Sequence, residues 1–206
     1  MKTTRIPALL VSLILSSILM LSSCEKDDNT PEVNEDGLTR DVTDLVPQEI
    51  LDEMEDLGLP IYGGIDPPNI EGRFVASPFI LLASNRQSDI PGDQFQDYYV
   101  TFKEQDDREL TIMMDYENGS EMGNGLGSFI VGDGNRFSVF VEVISENNGE
   151  TASVVNVISG EISETGIKDF YFANFMLDNK GNPSNYWIEE GEGRVAFDSD
   201  GFSERL

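Results

Sequence analysis

From residue 70 to the C-terminus, apolar residues recur at every second position. Tyr98, Val100 and Phe102 share one face of an extended segment, as do Leu110, Ile112, Met114 and Tyr116, and then Phe137, Val139, Val141 and Val143. That period belongs to half-buried strands. EGRFVASPFILLAS, LGSFIV, TASVVNVIS, GIKDFYFANFMLD, SNYWIEE and GRVAF read as further strands, and Pro78 implies a bulge or an edge in the first. Turn signals separate them: Glu117-Asn118-Gly119, Asp133-Gly134-Asn135, Asn147-Asn148-Gly149, Glu164-Thr165-Gly166 and Asn179-Lys180-Gly181-Asn182. Such connections are too short for crossover helices, so neighbours should pair antiparallel. The expected fold is all-β: about eight or nine antiparallel strands over residues 70–206, closed as an up-and-down barrel without bare edges, with a β-sandwich as the alternative.

Before residue 70 the period is 3.6. Val46, Ile50, Leu51, Met54 and Leu57 form one apolar stripe, which predicts a helix over 44–58. Asp44 suits its N-cap, Pro47 its first turn and Gly58 its left-handed C-terminal position. With the Pro- and Gly-rich loop that follows, residues 44–69 should pack on the barrel. Residues 24–43 hold almost nothing apolar beyond Val33 and Leu38, so they are expected to form a disordered acidic tether.

The N-terminus carries a different signal. Lys2 and Arg5 precede an apolar run over 8–21, interrupted only by Ser12, Ser16 and Ser17. This is a secretory n-region and h-region, too short to span a bilayer core of about 30 Å comfortably. The run ends on Leu21-Ser22-Ser23-Cys24, which resembles the lipobox of bacterial lipoproteins. The resemblance implies a signal peptide over 1–23 and a diacylglyceryl group on Cys24. Glu25-Lys26-Asp27-Asp28 is similar to the acidic export signal of surface lipoproteins in Bacteroidota, and implies an outer-membrane anchor with the domain facing outwards; a periplasm-facing domain is the alternative.

Residues 1–23 hold two of the 13 basic groups and none of the 39 acidic ones, so the chain from Cys24 carries a formal charge of −28. No sizeable basic stripe is available, which excludes nucleic-acid binding through phosphate contacts. There is no histidine, and acylation would consume the one cysteine. Ser–His–Asp and Cys–His catalysis and N/S-ligated metal sites therefore fall away, and no cofactor is implied.

Gly72-Arg73-Phe74 opens the first strand after the N-terminal helix. It resembles the glycine-x-aromatic signature of the calycins, the lipocalin-type group, and the chain from about residue 46 is similar to Bacteroidota surface lipoproteins with a lipocalin-like domain. The resemblance implies that Phe74 closes the barrel floor and that an arginine from a late strand covers its ring, with Arg194 as the expected residue. Phe74 stands where the group usually has tryptophan, the group's middle motif is missing, and no C-terminal helix follows.

An eight-stranded barrel is just wide enough for packed side chains or one small ligand. Tyr98, Phe102, Tyr116, Phe140, Phe170, Phe172 and Trp187 are the aromatic candidates to line it, either as core or as a wall suited to sugars and amphipathic molecules. Asn156 and Asn174 interrupt apolar stretches, and each is a structural bridge or a lumen contact. AFDSDGFSE, with Asp198, Asp200 and Glu204, touches a calcium-loop pattern but reads as an acidic turn, and no metal site is expected. Glu189 and Glu190 beside Trp187 are the least remote carboxylate pair for hydrolysis. The expected function is non-enzymatic: a lipid-anchored surface protein whose barrel binds a small hydrophobic ligand or glycan fragment. The alternative is an acidic interaction module that captures a cationic protein, such as a host enzyme.

Overall fold

The computed structural model describes residues 31–206 apart from Ser120 and Asn148, so the expected signal peptide, Cys24 and the first part of the expected tether lie outside the described residues. The protein is all-β apart from two short helices. No helix among the described residues is long and apolar enough to cross a membrane.

The single helix expected over 44–58 is two. Helix α1 (Arg40–Leu45) starts at Thr39, whose Oγ1 accepts from the Val42 amide, and α2 (Gln48–Asp56) starts at Pro47. A proline disfavours helical backbone in the residue before it, and Val46 accordingly sits in the extended region at φ −117°. Asp44 therefore lies inside α1, and Pro47 is the N-cap of α2 instead of a first-turn residue. Gly58 takes φ +95°, and the amides of Gly58 and Leu59 donate to the Glu55 and Met54 carbonyls, the double closure of a Schellman cap. Residues 31–43 are not the disordered tether expected of them. Asn34 ties a turn through its side-chain oxygen, and Leu38 and Val42 are buried in the same cluster as α2.

The strands are β1 (Ile65–Asp66), β2 (Gly72–Ala76), β3 (Phe79–Ser84), β4 (Tyr98–Asp106), β5 (Thr111–Asn118), β6 (Glu121–Asp133), β7 (Arg136–Asn147), β8 (Glu150–Ile162), β9 (Gly166–Asp178), β10 (Gly193–Asp198) and β11 (Phe202–Arg205). EGRFVASPFILLAS is not one strand: Ser77 and Pro78 divide it. β2 joins β4 and β11, whereas β3 joins β10. SNYWIEE is not a strand either, and lies in the 179–192 connection. Eight strands follow one another around a closed antiparallel ring: β2, β4, β5, β6, β7, β8, β9, β11 and back to β2. The long β9 makes this possible, because its first residues pair β11 while Tyr171–Phe175 pair β10.

The ring has an inside and an outside, and both are apolar along one arc. The helices cover the outer faces of β6 to β10 through Leu51, Met54, Phe140, Val155, Val157 and Phe175. β8 is consequently buried without interruption from Ala152 to Gly160. Phe140 thus belongs to the helix layer and not to the lumen: its neighbours Val139 and Val141 point inwards, and one residue of offset reverses the face.

One end of the interior is filled. Phe102 packs against Phe74 and Phe137, tilted to the first and edge to face with the second, at centroid distances of 6.2 and 6.3 Å. The arginine over the Phe74 ring is Arg205, 4.7 Å from the centroid, and not Arg194. Arg205 is the register partner of Phe74 on β11, while Arg194 lies on β10, which leaves the ring at the other end. Gly72 makes room for this contact. It holds φ +147°, and a Cβ there would stand 2.2 Å from Arg205 Nη1.

Positive φ at a residue with a side chain costs about 1–3 kcal/mol. Gly72→Ala is therefore expected to lower the unfolding free energy by about that amount, read as a reduced urea midpoint; an unchanged midpoint would contradict the close approach.

Candidate functional site

The other end of the interior is open and holds a cavity of about 310 Å³. β4, β5 and β9 build its aromatic wall by projecting alternate residues inwards. Tyr98 and Tyr116 are stacked with their planes 8° apart at 5.9 Å, and Phe172 meets Tyr98 at 4.8 Å. Phe79, from the start of β3, lies 5.8 Å from Phe172 and 5.7 Å from Phe95. Val154, Met176 and Ala196 supply aliphatic surface.

Two amides interrupt this wall. Asn156 on β8 and Asn174 on β9 are direct register partners, and Asn174 Nδ2 donates to Asn156 Oδ1 at 2.6 Å. Both line the cavity. Each asparagine has four hydrogen-bonding capacities, so one bond between them leaves an amide NH₂ and an amide C=O whichever way the two are turned.

Trp187 arrives from the 179–192 connection, which folds over the mouth. Asparagines hold it there. The Trp187 amide donates to Asn182 Oδ1 at 2.9 Å, Asn182 Nδ2 donates back to the Trp187 carbonyl at 2.7 Å, and Asn179 Nδ2 donates to the Ile188 carbonyl at 3.1 Å. The indole Nε1 is buried and has no hydrogen-bond partner among the described residues. Glu189 and Glu190 stand exposed on the same connection and do not line the cavity, so the carboxylate pair is not built into it.

The rim is ionic. Arg194 Nη2 lies 3.0 Å from Asp89 Oδ2, Arg86 Nη1 lies 3.5 Å from Asp89 Oδ1, and Arg86 Nε lies 3.7 Å from Glu192. Arg194 also sits 5.9 Å over the Phe95 ring. Arg194, expected over the Phe74 ring at the barrel floor, thus belongs to the opposite, open end.

Of the candidates read from the sequence, Tyr98, Tyr116, Asn156, Phe172, Asn174 and Trp187 come together around one cavity. Phe102 faces inwards but lies in the filled end, and Phe170 is fully buried against Tyr98. Phe79, Phe95, Arg86, Asn118, Ser145 and Met176 also line the site and escaped the sequence reading. Met176 and Ser145 were within reach, since they continue the inward alternation of Phe172–Asn174 and of Val141–Val143. Arg86 and Phe95 come from irregular connections, where no period announces a face.

Asp198 has a structural task. It is buried at the β10–β11 turn, and its Oδ2 accepts from the Ser77 amide at 3.1 Å and from Ser203 Oγ at 2.7 Å. Asp200 caps the same turn by accepting from the Phe202 amide. Two of the three carboxylates of the calcium-like stretch are therefore committed to the turn itself, and no group of three acids placed to hold a metal occurs among the described residues.

Comparisons with protein-family models, with curated proteins and with solved structures return no match.

Burial pushes the Asp198 carboxyl above its ordinary pKa, against the opposing effect of its two hydrogen bonds. The folded state then binds this proton more tightly than the unfolded state. Stability from the group is present at low pH and is lost as pH rises from the ordinary carboxylate range through the raised value. An asparagine keeps the acceptor but does not titrate. The melting temperature of the native protein should fall relative to Asp198→Asn across that window and level off above it; a constant difference would contradict the burial argument.

Proposed function

We propose that the protein is a lipid-anchored, non-enzymatic binding protein of lipocalin-like build, held at the outer membrane by Cys24 and taking a small ligand or glycan fragment into its cavity. The lipocalin-like assignment is supported by the eight-strand ring, by the helices outside it, and by a late-strand arginine over the aromatic ring of the ring's first strand. Anchorage is supported by the h-region and the lipobox-like tetrapeptide before Cys24.

The amide pair carries the functional reading. In a filled core the unspent NH₂ and C=O of Asn156 and Asn174 would each cost about 1–3 kcal/mol as buried unpaired groups. Facing a cavity, they present a donor and an acceptor side by side, within aromatic rings that suit the apolar face of a sugar. A volume of about 310 Å³ lies at the lower end of ligand pockets, enough for a small molecule.

Trp187 is the one tryptophan of the chain and lines the site, so its emission reports occupancy. Titration of the full-length protein in detergent with nutrient polysaccharide fragments and small amphiphiles should shift that emission. Asn174→Leu should weaken binding about ten-fold or more while leaving the melting temperature unlowered. Silence across the whole panel, or a variant that loses stability but not affinity, would remove the ligand reading. Mass spectrometry of the membrane fraction should find a diacylglyceryl-modified Cys24, absent in Cys24→Ser; an unmodified amino terminus would remove the anchor.

A further inference from the structure

The cavity has a charge signature that the chain as a whole lacks. Acidic residues outnumber basic ones by 39 to 13, yet among the described residues no aspartate or glutamate lines the cavity and two arginines do. We infer, on the footing of the cavity reading above, that the ligand is a small organic anion whose carboxylate lies against Arg194 and Arg86 at the rim while its ring or apolar body fills the aromatic wall.

The two arginines reach the rim from separate elements, Arg86 from the connection after β3 and Arg194 from β10. They converge on one carboxylate, Asp89, whose side chain is 12% exposed, while those of Arg86 and Arg194 are 25% and 31% exposed. Asp89 thus works from behind: it accepts from Ser84 Oγ at 2.8 Å and holds both guanidinium groups without lining the cavity. A guanidinium carries five N–H donors in a fixed fork. Arg194 spends Nη2 on Asp89, and Arg86 gives Nη1 to Asp89 while its Nε is only ion-paired with Glu192 at 3.7 Å. Donors are left on both, and a planar fork of this kind matches a carboxylate bidentately. The Phe95 ring beneath Arg194 fixes the guanidinium at the boundary between the apolar wall and the rim.

The overall field works against such a ligand. A formal charge of −26 repels anions, although beyond a Debye length of about 8 Å at physiological salt that repulsion is largely screened. Any preference of this protein for an acid over its neutral analogue must therefore come from local groups, and Arg86 and Arg194 are the charged residues that line the cavity among the described ones.

Matched pairs test this through Trp187 emission of the full-length protein in detergent: methyl glucuronide against methyl glucoside for a sugar acid, and 3-phenylpropionate against 3-phenylpropionamide for an aromatic acid. At least one acid should bind about ten-fold or more tighter than its neutral partner, the scale of one charge-assisted hydrogen bond. Arg194→Gln should erase that preference, and Arg86→Gln should reduce it. The pair that responds tells which body the acid carries. Equal binding of acid and neutral partner, or a preference that survives both substitutions, overturns the inference and leaves the cavity reading standing. Failure of all four compounds to bind overturns the two together. The comparison on the unsubstituted protein decides even if a variant fails to fold.

Discussion

Closure of the sheet between β2 and β11 is the constraint on which everything else depends. The pairing itself is short, with Val75 opposite Glu204 and Phe74 opposite Arg205. Side chain and backbone reinforce it. Arg205 lies over the Phe74 ring and donates to the Glu71 carbonyl, the Leu206 amide donates to the Arg73 carbonyl, and the Arg205 amide reaches across to Thr165. Without these contacts the first and last strands of the ring would each present an unpaired edge. With them, every inward side chain faces another across a common interior.

That interior is divided by side-chain size. Phenylalanines fill the end nearest the closure, where their rings meet edge to face or tilted and leave no room for a ligand. Towards the other end tyrosines, two asparagines and smaller side chains take over, and the space opens. The same strands thus provide a rigid packed base and a polar-tipped cavity, and the base holds the cavity wall in place. The split of β9 between β11 and β10 belongs to this division: the ring closes at the filled end, and β10 and β3 diverge to form part of the mouth.

Electrostatics divide the molecule in another way. In a strongly acidic chain, the charged lining of the cavity is arginine alone among the described residues. Asp89 and Glu192 neutralise those arginines from outside the lining, so the rim keeps directional donors without a large local excess of positive charge. Trp187, clamped by Asn182 and Asn179, lines the same mouth, and its indole N–H is buried without a hydrogen-bond partner among the described residues.

The long strands from β4 to β10, their antiparallel succession and most of their turns were legible in the chain alone, because a period of two and Asn-Gly or Asp-Gly punctuation depend only on neighbours along it. The sequence also placed Asn156 with Ile158 and Asn174 with Phe172, since parity within a strand is local. Tertiary structure decided which apolar face was inside. β7 and β8 are buried on both faces, so Phe140 carried no sign that helices would cover it. It decided which arginine met Phe74, because a ring-closing partner is set by the register of β11 and not by distance from a motif. It decided that Pro47 and Pro78 each divide an element, since whether the pieces stay collinear depends on what each packs against. Arg86 and Phe95 joined the cavity only through folding, because irregular connections have no period and their side chains point wherever the surrounding strands leave space.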